Sequence, residues 1–455
     1  MAAEKPSLGG DRASASHHLV ATLAAYEERH LPRGTKGLAL AAPMRQSELR
    51  LRQWRVLEAE TAFPVALLKA SALTHNAQWM RAYCKHFHVQ IAPHGKTTMS
   101  PQLFARQLDG GAWGITLATA AQVLTAYGFG VRRILLANQL VAPAEIRVLA
   151  ELLRDDPTFE LYVVVDSDAG IDRLAAGLNA AGPSRPLPVL LELGLPSGRT
   201  GCRSDREAMI LAHKINSMPT LMLVGVEGYE GLLVGPNRAD DLSAVDGFLD
   251  RLLRFTAELD GQSLFHAHDI LVSAGGTAYF DRVAEAISRF APLSRPLTPV
   301  LRSGCYLTHD HGFYRHLLAQ MAARQPQLFA HLPAGGLKPA LEVWSMVQSH
   351  PEPTLAILTM GKRDVSYDID LPLPMWWHRP GSTRQPKDLS ADCRIDKMND
   401  QHAYLRLPAE IGHQVQVGDL IGCGISHPCT TFDKWRLLLE VDDGYRVIGS
   451  VNTVF

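Results

Sequence analysis

From Val89 onward the sequence keeps a rhythm that few folds accommodate. Short apolar runs recur at Val89–Ala92, Gly114–Leu117, Ile134–Ala137, Leu161–Val165, Val189–Leu193, Leu221–Val226, Ile270–Ser273 and Pro299–Leu301. Segments with apolar residues at helical spacing lie between most of them, as at Thr119–Tyr127, Pro143–Arg154, Ile171–Leu178 and Ser204–Ser217. Strands alternating with helices argue for βα units and a parallel sheet. Eight such strands close a (β/α)8 TIM-type barrel. An earlier run, Phe63–Leu68, would be a ninth strand and is placed outside the barrel, ahead of a helix over Asn76–Phe87.

After about residue 330 the helical spacing gives way to Pro, Gly and short β-type runs: Leu341–Val347, Leu355–Thr359, Ala403–Leu407, Gln414–Val417, Leu420–Ile425, Leu437–Val441 and Arg446–Val451. This predicts a smaller all-β domain. The expected division is an N-terminal extension over 1–60, a barrel over 61–325 and the β domain over 326–455. Residues 19–60 read mainly helical, and 1–18 as a loose polar tail without the apolar core of a secretory signal.

Formal charge is close to balance, with 45 Lys and Arg against 46 Asp and Glu, a net of −1. That gives no electrostatic case for nucleic acid or an anionic membrane. No apolar stretch reaches the roughly 18 residues of a transmembrane helix. Six cysteines, none in a CxxC pair, do not make a disulfide framework in a 455-residue chain and fit a reducing cytoplasm.

In a barrel, reactive groups gather where the strands end. Lys96 lies just past the first strand, in Ile91-Ala92-Pro93-His94-Gly95-Lys96-Thr97-Thr98. A lysine desolvated there would have a lowered pKa and could attack an aldehyde to form a Schiff base. Arg199 follows the Val189–Leu193 run and Tyr229 the Leu221–Val226 run. Gly275-Gly276-Thr277 follows the next strand, and Gly304-Cys305-Tyr306 the last. Small residues before a helix leave backbone N–H groups free for a phosphate. Together these groups suit a phosphorylated aldehyde cofactor, pyridoxal phosphate. Each taken alone is also an ordinary surface lysine, a turn, a surface arginine or a core aromatic.

A second constellation is Ser426-His427-Pro428-Cys429. In extended backbone, residues i and i+2 share a side, so His427 and Cys429 suit zinc or another divalent ion. The same spacing also suits a buried histidine beside a buried cysteine. Cys423, His413 and His402 are the candidates for further ligands.

From Phe63 to Trp435 the chain resembles the fold-type III pyridoxal phosphate enzymes, in the branch of D-threonine aldolases and D-serine dehydratases. The resemblance is carried by Pro93-His94-Gly95-Lys96-Thr97, Gly111-Ala112-Trp113-Gly114-Ile115-Thr116 and Ala137-Asn138-Gln139. It continues through Gly198-Arg199-Thr200-Gly201, Gly228-Tyr229-Glu230-Gly231, Gly275-Gly276-Thr277, Gly304-Cys305-Tyr306 with Asp310, Asn399-Asp400-Gln401-His402 and Ser426-His427-Pro428-Cys429. It implies a barrel of the alanine racemase N-terminal kind. Lys96 would be the Schiff-base lysine, Arg199 would lie near the pyridine ring and Tyr229 against the cofactor. Gly275, Gly276, Thr277, Gly304, Cys305 and Tyr306 would line the phosphate. His427 and Cys429 would hold a divalent metal, zinc first, near the substrate.

His-x-Cys is the pattern of the zinc-dependent D-serine dehydratases, so the resemblance implies a D-amino-acid dehydratase or deaminase. A D-threonine-aldolase reaction is the alternative. Single-domain barrel relatives that bind the cofactor without catalysis are a remoter one, and they lack the β domain. A racemase would need a second acid/base opposite the lysine, and none stands out. The resemblance also implies a homodimer and a small D-amino acid as the partner molecule.

Overall fold

The computed structural model describes residues 12–233, 238–382 and 385–455. By internal contacts the chain divides into two units. One holds Tyr83–Lys96 and Gln107–Gly304; the other holds Ala21–Ala82, Thr97–Arg106 and Cys305–Phe455.

The first unit is a curled parallel sheet of eight strands with helices between them. Ile115–Leu117, Arg133–Gln139, Glu160–Val165, Leu187–Leu193, Leu221–Gly228, Ile270–Ala274 and Leu297–Leu301 pair in chain order, and Leu297–Leu301 then pairs with the first strand, Gln90–Ile91. The two ends of this path meet: Trp113 N–H donates to the Ile91 carbonyl at 2.8 Å, Thr116 N–H donates to that of Pro93 at 2.9 Å, and His94 bridges Thr116 in parallel. This closes the barrel that the sequence rhythm predicts. All eight strands fall on the apolar runs, because a strand covered on both faces needs an apolar side chain at nearly every position. Ala92, Leu135, Tyr162, Val164, Leu190, Val224, Leu271 and Val300 pack in one buried cluster.

Helix starts are fixed locally. The hydroxyls of Thr119, Ser167 and Ser204 accept from the N–H groups of Gln122, Gly170 and Glu207, satisfying first-turn donors that would otherwise lack partners. The strands therefore end in short loops at defined places.

The second unit is built on a largely antiparallel ten-stranded sheet. The long strand Leu341–Glu352 is its axis. It pairs with Leu420–Gly424 on one side, with Val65–Lys69 on the other, and with Leu355–Leu358 beyond. Val65–Lys69 also pairs in parallel with Leu437–Val441, which pairs with Val447–Asn452. The early run near Phe63–Leu68 is thus outside the barrel, as expected, and is an interior strand of this sheet. Strands at Leu373–His378 and Arg394–Met398 lie where no apolar run announced them. Gln414–Val417 forms no strand: it leads into a turn at Gly418, whose φ is +94°.

Residues 19–60 depart from the helical expectation. The first helix ends at Glu27, and residues 28–60 are mostly short turns of chain, broken by Pro32, Gly34, Gly37 and Pro43. Leu31, Leu38, Met44, Leu49, Val56 and Leu57 are buried in one cluster with Val65, Trp344, Leu420 and Tyr445. Their spacing serves the core of the second unit rather than a helix face. No helix among the described residues is long and apolar enough to cross a membrane.

One buried polar side chain ties the second unit internally. Asn76 is fully buried; its amide donates to the carbonyls of Leu307 at 2.9 Å and Lys338 at 2.7 Å, and its oxygen accepts from Lys338 N–H at 2.7 Å. Asn76→Leu is expected to cost about 3 kcal/mol, because three buried backbone groups lose their partner together. Urea unfolding would show it, and a loss below about 1 kcal/mol would mean those groups find other partners.

Candidate active site

In the first unit the loops at the strand ends converge around His94. Lys96 sits in a single 3-10 turn, Gly95–Thr97, directly after the Gln90–Ile91 strand. This turn is anchored by His94 N–H, which donates to the Arg302 carbonyl at 3.2 Å. Burial, then the charges of Lys96, Arg302 and Arg199, hold the His94 imidazole well below its ordinary pKa, so it is neutral. Its Nδ1 is buried with no partner among the described residues. One histidine therefore feels the lysine of the first strand, the arginine after the fifth and the arginine after the last.

Lys96 itself is exposed. The expectation of a lysine desolvated by the protein is not met: the glycine and threonine beside it are buried, and the amine extends past them. Arg199 is also exposed and lies 4.8 Å over the Tyr229 ring. Its loop is braced by Arg203, whose guanidinium donates to the carbonyls of Gly198, Arg199, Thr200 and Gly201 at 2.6–3.2 Å. Arg203 was not singled out in the sequence, because a bracing arginine has no motif of its own.

The Gly275–Gly276 loop lies close against the last one. Ser303 Oγ donates to the carbonyls of Gly275 and Gly276 at 3.0 and 3.2 Å, and Arg302 N–H donates to that of Gly275 at 3.1 Å. Glycine is needed here: Gly275 has φ +91°, and a Cβ on Gly276 would stand 2.7 Å from the Tyr229 ring. The two N–H groups, expected to be free, are not. They donate to the buried carboxylate of Glu230 at 3.1 and 2.7 Å. The loop thus already holds an anion, which shows that its donors have the spacing for one. A phosphate would have to share or replace that carboxylate's bonds. Thr277 is half-buried in the turn after these glycines, and the helix begins only at Phe280.

Behind these loops lie three carboxylates that sequence reading missed: Glu192, Glu227 and Glu230, all buried. Glu192 accepts from Thr200 Oγ1 at 2.6 Å and from the Gln139 amide. Glu227 pairs with buried Arg302; burial pushes its carboxyl up, to about 8, against the pull of that arginine. Glu230 is pushed up by burial, opposed by backbone N–H donors including those of Gly275 and Gly276. Glu192 lies inside the apolar run Val189–Leu193 and Glu227 directly after Leu221–Val226, and a single acidic residue there carries no signal of its own.

In the second unit His427 and Cys429 do come together. His427 is the last residue before the short helix Pro428–Phe432. Its Nδ1 is 2.5 Å from Asp368 Oδ2, and Thr430 Oγ1 donates to the other oxygen of Asp368 at 2.7 Å. Burial alone would lower the His427 pKa; a hydrogen bond to the Cys429 sulfur and the Asp368 carboxylate overturn that and carry it to about 9. Cys429 is held well below its ordinary value by a hydrogen bond from Cys305, with His427 and Thr97 adding to it against burial.

The Cys305 thiol points at this pair, 3.9 Å from Cys429 Sγ and 3.8 Å from Thr97 Oγ1. Tyr306 is buried beside it. Asp310 accepts three backbone N–H groups at the start of the next helix, and burial still pushes it up to about 6. Cys423, His413 and His402 do not join the pair. Among the described residues no group of three or more His, Cys, Asp or Glu side chains is placed to hold a metal ion, so the protein offers this pair alone. The donor set nonetheless suits a borderline-soft divalent ion: a thiol held low, and an imidazole oriented by a carboxylate through its other nitrogen.

Comparison with known proteins gives relatives of one kind. Residues 340–441 match a family model described as "Putative serine dehydratase domain". The chain is 24% identical over 385 residues to a D-threonine aldolase from Arthrobacter sp., covering 84% of this chain and 89% of the relative. The fold is shared with a D-threonine aldolase from Filomicrobium marinum, with a TM-score of 0.69 and 20% identity, covering 87% of this chain and 95% of that one. It is shared also with D-threo-3-hydroxyaspartate dehydratase from Delftia sp. HT23, with a TM-score of 0.67 and 20% identity, covering 88% and 99%. A metal-free form of a dehydratase of that name matches as well. The chain thus has the fold of these D-threonine aldolase and D-threo-3-hydroxyaspartate dehydratase structures, is similar in sequence to a D-threonine aldolase, and carries a match to the putative serine dehydratase domain over 340–441.

Proposed function

We propose that the protein is a pyridoxal phosphate- and zinc-dependent dehydratase of D-3-hydroxy amino acids, yielding a 2-oxo acid and ammonia. The observation that carries this reading is the His427–Cys429 pair, oriented by Asp368 and chemically suited to a Lewis-acidic ion. Bound at Lys96, the cofactor would supply the electron sink that makes the Cα proton removable.

The chain's own residues divide the remaining work. Lys96, exposed and adjacent to neutral His94, is the amine that takes the Cα proton once the substrate has displaced it. Arg199 and Tyr229 stack as one face against which a flat ring can lie. The loops of Gly275, Gly276, Thr277 and Gly304 would line the phosphate, with the Gly275 and Gly276 N–H groups shared with or released from Glu230. His427 and Cys429 would hold the ion, which would supply Lewis acidity at the β-hydroxyl, and Asp368 orients the His427 imidazole through Nδ1. Loss of water and hydrolysis of the resulting enamine leave a 2-oxo acid and ammonia, so one water departs and one enters.

The aldolase relative motivates the second reading, Cα–Cβ cleavage at the same site. Incubating the holoenzyme with a panel of D-3-hydroxy amino acids separates the two. Ammonia and 2-oxo acid in equal amounts are expected. Glycine with an aldehyde as the main products would replace the dehydratase reading, and turnover confined to L-isomers would remove both.

A further inference from the structure

We propose that Glu230 is a built-in stand-in for the cofactor's phosphate: its carboxylate fills the Gly275–Gly276 cradle, and cofactor binding displaces it from those N–H groups. This rests on the reading that the protein binds pyridoxal phosphate. The two oxygens of the carboxylate are divided between two successive N–H groups, Oε2 on Gly275 at 3.1 Å and Oε1 on Gly276 at 2.7 Å. Gly275, with φ +91°, lets both N–H groups face one side, the geometry of a backbone nest that binds an anion. A second anion entering the nest meets the same two donors. An N–H shared between two acceptors bonds each of them more weakly, and two anions so close repel. The carboxylate and a phosphate therefore compete for the cradle.

The cradle does not need Glu230 for its shape. The loop is held through its carbonyls: Ser303 Oγ donates to those of Gly275 and Gly276, and Arg302 N–H donates to that of Gly275. Packing against Tyr229 fixes Gly276, where a Cβ would stand 2.7 Å from the ring. Glu230 comes from a separate 3-10 turn, Glu230–Leu233, after the preceding strand, so it can turn away without unwinding the loop. Its carboxylate is fully buried, a costly state that the two N–H groups and the charge of Arg302 oppose. When it yields the N–H groups, Arg302 still acts on it. Before the cofactor arrives, the same carboxylate keeps two backbone donors from being buried unpaired. The alternative is that Glu230 is a permanent brace and the phosphate binds beside it.

Equilibrium binding to full-length protein freed of cofactor distinguishes these roles, with pyridoxal phosphate, pyridoxal and inorganic phosphate as probes. Glu230→Gln keeps the side chain's shape but replaces a charged acceptor by a neutral one. Pyridoxal phosphate and inorganic phosphate are expected to bind it about 10-fold more tightly than wild type, because the bonds they displace are weaker. Pyridoxal, which lacks the phosphate, should bind within about 2-fold of wild type. Unchanged or weaker phosphate binding by the folded variant makes Glu230 a brace and overturns the proposal, as does an equal gain for pyridoxal. A crystal structure of the wild-type protein loaded with pyridoxal phosphate reads the same point without a variant. Phosphate oxygens on the Gly275 and Gly276 N–H groups, with Glu230 turned away, are expected; Glu230 still on both overturns it. If wild-type protein gains no visible Schiff-base absorbance with pyridoxal phosphate, the cofactor reading falls and this inference with it. Absorbance with Glu230 still holding both N–H groups removes this inference alone.

Discussion

Lys96→Ala is expected to abolish the visible Schiff-base absorbance of the reconstituted protein and to lower kcat by at least about 10³-fold, since on the proposed reading Lys96 is both the covalent anchor and the base for the Cα proton. The size reflects the absence of a substitute. His94 is close, but burial and three cations keep it from holding a proton, and its position inside the barrel fits it to shape the site rather than to attack. Arg199 and Arg302 present only donors, since a guanidinium has no acceptor. The fold should not notice the change: Lys96 is exposed and makes no ion pair among the described residues, so unfolding free energy should stay within about 0.5 kcal/mol. A variant that folds normally yet keeps the absorbance would move the anchor to another lysine and dissolve the assignment of the whole strand-end cluster.

That cluster shows where sequence reasoning holds and where it stops. The barrel was legible because buried parallel strands cannot avoid being apolar; Leu187–Leu193 and Leu221–Gly228 announce themselves by composition alone. The second sheet was only partly legible. Leu373–His378 carries Pro374 and a pair of tryptophans, Trp376 and Trp377, and its pairing with Leu420–Gly424 contains a bulge, so neither alternation nor a continuous apolar run marks it. The stretch from Leu31 to Leu57 misled in the opposite direction. Its apolar residues fall at near-helical spacing because they pack one irregular segment into the core around Trp344.

The site divides along the same line. Lys96, His427 and Cys429 were legible as motifs because each is a reactive group framed by small residues or proline. Glu230 and Asp368 were not. What makes Glu230 matter is its reach to the N–H groups of Gly275 and Gly276, some 45 residues later in the chain. What makes Asp368 matter is its contact with His427, 59 residues away. Partners of this kind are set by the fold and leave no periodic trace in sequence.

Metal removal should produce the second large effect. Exhaustive chelation of the holoenzyme is expected to lower the dehydration rate about 10³-fold, the scale of several kcal/mol of Lewis-acid stabilisation at a poor leaving group. Zinc should restore it better than magnesium, since the donors are a thiolate and an imidazole rather than carboxylates and water. His427→Ala should reproduce the chelated rate and resist zinc rescue. Asp368→Asn should be milder, weakening metal affinity by about 10–100-fold, because it loosens the imidazole without removing a donor. Excess zinc should therefore rescue Asp368→Asn but not His427→Ala. Cofactor absorbance at Lys96 should survive in all three preparations, which separates loss of the ion from loss of the cofactor. A full rate in protein whose metal content has been verified as negligible would strip His427 and Cys429 of the role given to them and leave the pair as a buried hydrogen-bonded contact.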